Sequence, residues 1–135
     1  MTDQQLMETA VAAMERSYSP YSDFRVGAAL LSVDGRVFTG CNIENASYPL
    51  TVCAERCAMF KAVSEGARNF AALAIAGGRD SEIRGCCPPC GSCRQVMAEL
   101  CREEGFYVLL EDWCGGLRRY TLDELLPLRF DSGNL

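Results

Sequence analysis

Apolar and polar positions along this chain follow two periods, and the change from one to the other marks out its elements. Thr2 with Gln5 three residues later forms a capping-box pattern, and Leu6, Met7, Ala10, Val11 and Met14 recur behind it at helical spacing. The spacing predicts a helix over residues 3–16, broken by Ser19-Pro20-Tyr21-Ser22-Asp23. Residues 26–33 are then a continuous apolar run, and Asp34-Gly35 turns it tightly into residues 36–41, which predicts an antiparallel hairpin. Residues 42–51 are polar and irregular. Helical spacing returns over 53–64 through Ala54, Cys57, Ala58 and Val63, with Gly66 as its stop. Residues 70–76 read as a buried strand, followed by Gly77-Gly78 and a charged loop reaching Arg84. A helix over 91–104 and strands over 106–110 and 117–120 complete the pattern, with Thr121 and Glu124 capping a short helix that reaches Leu126. Helices interposed between buried strands imply an α/β fold: a three-layer α/β/α sandwich around a mixed sheet of about five strands. No repeat or linker divides it, so the 135 residues read as one domain, 1–135.

Composition narrows the chemistry. Apolar residues make up 49% of the chain, enough for a core, which excludes intrinsic disorder. A net charge of −5 works against neutralising the phosphates of a long nucleic acid, so no nucleic-acid partner is expected. The N-terminus lacks a basic segment followed by an apolar one, and no apolar run approaches the ~20 residues of a membrane span. These features lead to the expectation of a soluble, cytoplasmic protein with no membrane partner. Nine cysteines occur with no histidine at all, so every mechanism that needs imidazole is excluded. In a reducing compartment the thiols are metal ligands, nucleophiles or packing groups rather than a disulfide framework.

Cys90-Gly91-Ser92-Cys93 places two thiols three apart at the start of a helix, behind Pro88-Pro89. Two sulfurs on the first turn can reach one ion, and the unpaired N–H groups of a helix N-terminus favour thiolates. A thioredoxin-type redox pair is the competing reading. Cys53-Ala54-Glu55 adds a third thiol and a carboxylate at a second helix start. Three protein ligands with one open position is the catalytic zinc arrangement, and Cys-Ala-Glu with Pro-Cys-x-x-Cys is the cysteine form of the zinc-deaminase pattern. Cys57, four residues after Cys53, offers the alternative of a closed four-thiolate site with Cys53, Cys90 and Cys93. Cys86 and Cys87 leave the register open by counting alone, but only Cys90 and Cys93 combine the three-residue spacing with a proline immediately before. Cys41, Cys101 and Cys114 read as packing or spare thiols.

These residues resemble the small homotetrameric cytidine deaminases. The resemblance runs from Ser19 through Leu30, through Gly40-Cys41-Asn42-Ile43-Glu44-Asn45-Ala46-Ser47-Tyr48-Pro49, Cys53-Ala54-Glu55-Arg56 and Pro89 to Val96, as far as Leu125-Leu126-Pro127. It implies one Zn2+ per subunit held by Cys53, Cys90 and Cys93, with Glu55 as the catalytic proton carrier. It implies that Asn42 and Glu44 bind the ribose hydroxyls, that Phe24 packs on the pyrimidine, and that the Ala54 N–H meets the base carbonyl. Ala46, Tyr48 and Phe130 resemble residues that complete a neighbouring subunit's site, although the ending Pro127-Leu128-Arg129-Phe130 follows the family only in part. The implied reaction is hydrolytic deamination of cytidine and 2'-deoxycytidine to uridine and 2'-deoxyuridine plus ammonia, in pyrimidine salvage. By the same resemblance, a zinc-bound hydroxide would attack C4 and Glu55 would shuttle the proton.

Three thiolates and Zn2+ sum to a charge of about −1, which weakens activation of a bound water. Arg56 is the candidate to offset it by donating hydrogen bonds to ligand sulfur. Two other functions stay open: a relative acting on an antibiotic nucleoside, and a zinc-stabilised or redox-sensing module without turnover. The apolar tail Leu125, Leu126, Leu128 and Phe130 suggests assembly, with docking on the chain's own surface as the alternative, and the resemblance implies a homotetramer with shared sites.

Overall fold

The structure is a computed structural model that describes residues 1–79 and 84–135. Most of the predicted charged loop before Arg84, residues 80–83, lies outside the described part. Helix α1 (Asp3–Ala13) opens on the expected capping box, with Gln5 N donating to Thr2 Oγ1 at 3.1 Å and Thr2 N donating to Gln5 Oε1 at 2.9 Å. It ends before the predicted position because residues 14–16 tighten into a 3₁₀ turn, closed by Ser17 N donating to Met14 O at 3.1 Å.

Strands β1 (Arg25–Ser32) and β2 (Val37–Cys41) form the predicted hairpin. Its loop has three residues rather than two: Ser32 N bonds Arg36 O at 2.8 Å, and Gly35 takes φ +95°. A glycine in the left-handed region is what that loop length requires. Strands β3 (Phe70–Gly78), β4 (Tyr107–Glu111) and β5 (Leu117–Thr121) complete one sheet in the order β2-β1-β3-β4-β5. Pairing is antiparallel except between β3 and β4, so the sheet is mixed as expected. β3 passes through Gly77 and Gly78, which sequence alone assigns to a loop, because Val26 and Arg25 of β1 run beside them and supply ladder partners.

Both faces of the sheet are covered, which accounts for the unbroken apolar runs. Ala29, Ala72, Ala74, Ala76 and Leu109 face α1, whereas Ala28, Leu30, Leu73, Ile75, Val108 and Leu110 pack with α2 (Ala54–Ser64) and α3 (Gly91–Leu100). α3 stops at Leu100 rather than at 104, since Cys101 leaves helical geometry at φ −110°, ψ 69° and drops into the core at 3% exposure. The short α4 (Leu122–Leu125) carries the predicted box between Thr121 and Glu124. No helix among the described residues is long and apolar enough to cross a membrane.

The topology determines where chemistry can occur. β2 and β3 are each antiparallel to β1, and β4 is parallel to β3, so β2, β3 and β4 point the same way. α2 follows β2 and α3 follows β3, so both helices begin at the same edge of the sheet. Gly40 of β2 lets α2 settle there: a methyl at that position would lie 2.4 Å from Ala54 O and 2.5 Å from Ala58 N. That contact sets the height of the α2 N-terminus against the sheet.

Candidate active site

Cys53 and Cys90 occupy equivalent positions, each the extended N-cap residue of its helix and neither capping the helix with its own side chain. Cys93 lies one turn into α3 and is fully buried. The three sulfurs lie within 4.8 Å of one another and form the one such thiol group among the described residues. Cys53 Sγ is 3.8 Å from Cys90 Sγ, and Cys90 Sγ is 3.5 Å from Cys93 Sγ. Thiolates held tetrahedrally by zinc at about 2.3 Å sit about 3.8 Å apart, so the donor set and its spacing fit that ion. Cys57 does not join the group, which speaks against the closed four-thiolate alternative. Cys86 and Cys87 stay outside it as well.

Electrostatics mark Cys53 as the thiol that ionises first. Hydrogen bonding from Cys93, with further help from Arg56 and Cys90, lowers it to about 5 against the opposing effect of burial. Cys93 moves the other way, raised by its hydrogen bond to Cys53 and by desolvation. Arg56 Nη2 donates to Cys53 Sγ at 3.4 Å, and the adjoining thiolates hold the guanidinium firmly charged. The cation expected from the charge arithmetic thus sits on a ligand sulfur. Arg56 Nε is buried without a hydrogen-bond partner among the described residues, so the guanidinium is held for its place beside sulfur rather than by a full set of bonds.

Glu55 belongs to the first turn of α2 and is 4% exposed. Burial raises its carboxyl from 4.5 to about 7, with the Cys53 charge adding to the shift. A carboxyl poised near neutrality can both take and give a proton. Ala54, the first residue of α2, is fully buried, and helix geometry leaves its N–H without an intrahelical acceptor.

The other predicted site residues gather around residues 21–26. Asn42 is buried; its Nδ2 donates to Phe24 O at 2.8 Å, and its Oδ1 accepts from Val26 N at 2.8 Å and from Ser17 Oγ. Glu44 accepts from Tyr21 N at 2.9 Å, from Ser22 N at 3.1 Å and from Ser22 Oγ, and these donors hold its carboxyl below the usual range, the Ser22 hydroxyl most. Asp23, between these anchors, takes φ +56°. Phe24 is half-buried, with the Arg79 guanidinium 5.5 Å from its ring centroid. Sequence reading proposes Asn42 and Glu44 as hydroxyl ligands but does not find that they also hold this loop. Partners 16 to 23 residues apart leave no local pattern to detect.

Tyr48, 73% exposed, lines a cleft of about 370 Å3 with Tyr21, Ser22, Glu44, Asn45 and Thr51. Ala46 is exposed, as is Phe130, whose carbonyl accepts from Gln95 Nε2 at 3.0 Å. Neither belongs to the thiol group within one chain.

A mixed five-stranded sheet with three thiols at two helix N-termini and a buried glutamate beside them defines a zinc-dependent deaminase fold. The family described as "Cytidine and deoxycytidylate deaminase zinc-binding region" matches residues 1–109, which contain all three thiols, and the chain belongs to it. It is therefore an enzyme of the deaminase class, a hydrolase acting on C–N bonds. The cytidine deaminase of Halalkalibacterium halodurans is 49% identical over 135 residues, covering 100% of this chain and 98% of that protein. That of Mycobacterium tuberculosis is 46% identical over 131 residues, covering 96% and 90%. The crystal structure of the Burkholderia pseudomallei cytidine deaminase superposes with a TM-score of 0.84 at 49% identity, covering 96% of this chain and 100% of that one.

Proposed function

We propose that this protein hydrolyses cytidine and 2'-deoxycytidine to the corresponding uridines and ammonia, as a cytoplasmic enzyme of pyrimidine salvage. The observation that carries this reading is Glu55, buried beside three clustered thiols with its carboxyl raised to about 7. Cys53, Cys90 and Cys93 would hold the zinc, which when bound would supply Lewis-acid activation of water. Glu55 accepts one proton from the attacking water and passes it to ring N3, then takes the second proton from the hydroxyl now on C4 and delivers it to the amine, which departs as ammonia while the carbonyl forms. One carboxyl serves both roles because the steps are sequential and its pKa lies near the working pH. Arg56 withdraws charge from the ligand sulfur and so favours ionisation of that water.

Binding follows from what Asn42 and Glu44 have left to offer. Asn42 Nδ2 spends one N–H on Phe24 O and keeps one; its Oδ1 already accepts two bonds. Glu44, a carboxylate, can only accept. The pair therefore presents one donor and one acceptor to a sugar hydroxyl, which suits a nucleoside better than a free base. Phe24 supplies an apolar surface for the pyrimidine and the Ala54 N–H a donor for its carbonyl. Ala46, Tyr48 and Phe130, all exposed, complete a neighbouring subunit's site in a homotetramer.

The test is conversion of cytidine to uridine, followed by absorbance on zinc-loaded protein, repeated with Glu55→Gln. The substitution is expected to keep zinc and nucleoside binding while lowering kcat by about 10²–10⁴. Retained turnover would remove the proton-carrier role, and zinc-loaded wild type inactive on every nucleoside would favour a non-catalytic zinc module.

A further inference from the structure

Cys87 stands outside the thiol group, beside Gly77 and Phe24 and within electrostatic reach of Glu55. It lies on the segment leading to α3, where Gly85 bridges to Gly77 of β3. Gly77 is the reference point. A methyl placed there would lie 2.6 Å from Cys87 Sγ and 3.1 Å from Phe24 Cε1, so the thiol and the ring edge converge on the volume that a glycine leaves open. From the other side, the Glu55 charge reaches Cys87 strongly enough to add to the effect of burial, and together they push its thiol up to about 12. Cys87 is thus a neutral, half-buried, weakly polar group beside the Phe24 ring edge and within electrostatic reach of the Glu55 carboxyl.

We propose that Cys87 is a specificity-determining residue, forming with Phe24 and Gly77 the wall that meets the apolar C5–C6 edge of the pyrimidine. This rests on the nucleoside deaminase reading above. The assignment of edges follows from chemistry. N3, O2 and the exocyclic amine of the base need hydrogen-bonding partners, which Glu55 and the Ala54 N–H supply. A neutral thiol and a phenyl edge offer almost none, so they suit the two ring carbons that carry only hydrogen. The size of residue 87 then limits what can be attached at C5. With no side chain at Gly77, the sulfur is the atom that fills this part of the wall.

One methyl group more or less in an apolar pocket changes kcat/KM by about 10–200-fold. The experiment measures kcat/KM for cytidine and for 5-methylcytidine with wild type, Cys87→Ala, Cys87→Ser and Cys87→Leu. Alongside it, calorimetric Kd values are measured for uridine and 5-methyluridine, which need no turnover. In Cys87→Ala the 5-methylcytidine-to-cytidine ratio of kcat/KM is expected to rise at least about tenfold, and the 5-methyluridine-to-uridine Kd ratio to fall correspondingly. Cys87→Leu is expected to lower it, and the near-isosteric Cys87→Ser to leave it within twofold of wild type. A general effect on folding or on zinc would scale both substrates together and leave the ratio fixed. An unmoved ratio in Cys87→Ala overturns the proposal even if Cys87→Leu fails to fold. Wild type that neither deaminates cytidine nor binds uridine overturns the nucleoside reading itself, and this inference with it.

Discussion

Glu55 carries two consequences that can be separated by removing metal. Its carboxyl stands at about 7 in the folded chain against 4.5 when free, chiefly through burial. The folded state therefore binds more protons than the unfolded state across that interval, and the contribution to stability is present below pH 4.5 and lost as the pH rises through 7. At about 1.4 kcal/mol per unit, metal-free wild type should lose about 3 kcal/mol relative to Glu55→Gln between those limits. Denaturant unfolding at several pH values checks this, and parallel curves for the two proteins would refute it. The lowered Asp3, Asp34, Glu44 and Glu124 act in the opposite sense at lower pH, and Cys53, lowered to about 5, acts in the opposite sense within the same window, so the Glu55 slope is read as the difference between wild type and Glu55→Gln. At this scale the sequence was highly informative about the thiols, the glutamate and Arg56, because each lies within a few residues of the others on one of two short segments. It was silent about Ser17 and Ser22, whose bonds to Asn42 and Glu44 exist only after the chain has folded back on itself.

Among the elements, helix-to-sheet distance is the controlling variable, and two glycines set it on opposite faces. Gly40→Ala drives a methyl against Ala54 O and Ala58 N at the start of α2, where Cys53, Ala54 and Glu55 sit. Gly27→Ala drives one to 2.0 Å from Ala10 O in α1, on the face away from the thiols. Both are expected to cost about 1–3 kcal/mol in thermal or denaturant unfolding, but only Gly40→Ala should also loosen zinc, read by chelator competition. Equal zinc affinity in the two variants would refute the claim that Gly40 positions the ligand-bearing helix. Periodicity, with cap and turn signals, gave the five strands and four α-helices among the described residues but not the 3₁₀ turns, and β5 shows that a strand can be read without a fully buried face. These signals misplaced the ends of α1 and α3 and cut β3 short, for different reasons: α1 gives way to a local 3₁₀ turn closed by Ser17 N on Met14 O, Cys101 leaves helical geometry to enter the core, and Gly77 and Gly78 take ladder partners from β1.

For the whole molecule, the unsettled surface is the one around the Glu44 cleft. Tyr18, Tyr21, Ile43, Tyr48 and Leu50 are each at least 45% exposed, and the bridges Tyr18–Ile43 and Ile43–Val52 hold this region together. An apolar area of this kind on one chain suits burial against another. Sedimentation velocity is expected to give a tetramer, and truncation after Pro127, which removes Phe130, to lower kcat/KM substantially. A fully active monomer would refute shared sites. The two N-cap thiols also act on the chain as a polymer: Cys53 and Cys90 stand 37 residues apart, with all of β3 between them. Joining them through one ion closes a loop, so the metal acts as a reversible cross-link, comparable to a disulfide that needs no oxidant. Folding and zinc supply become coupled equilibria. Chelation should lower Tm by an amount that grows with the logarithm of the free zinc withdrawn, and a Tm independent of zinc would refute the coupling.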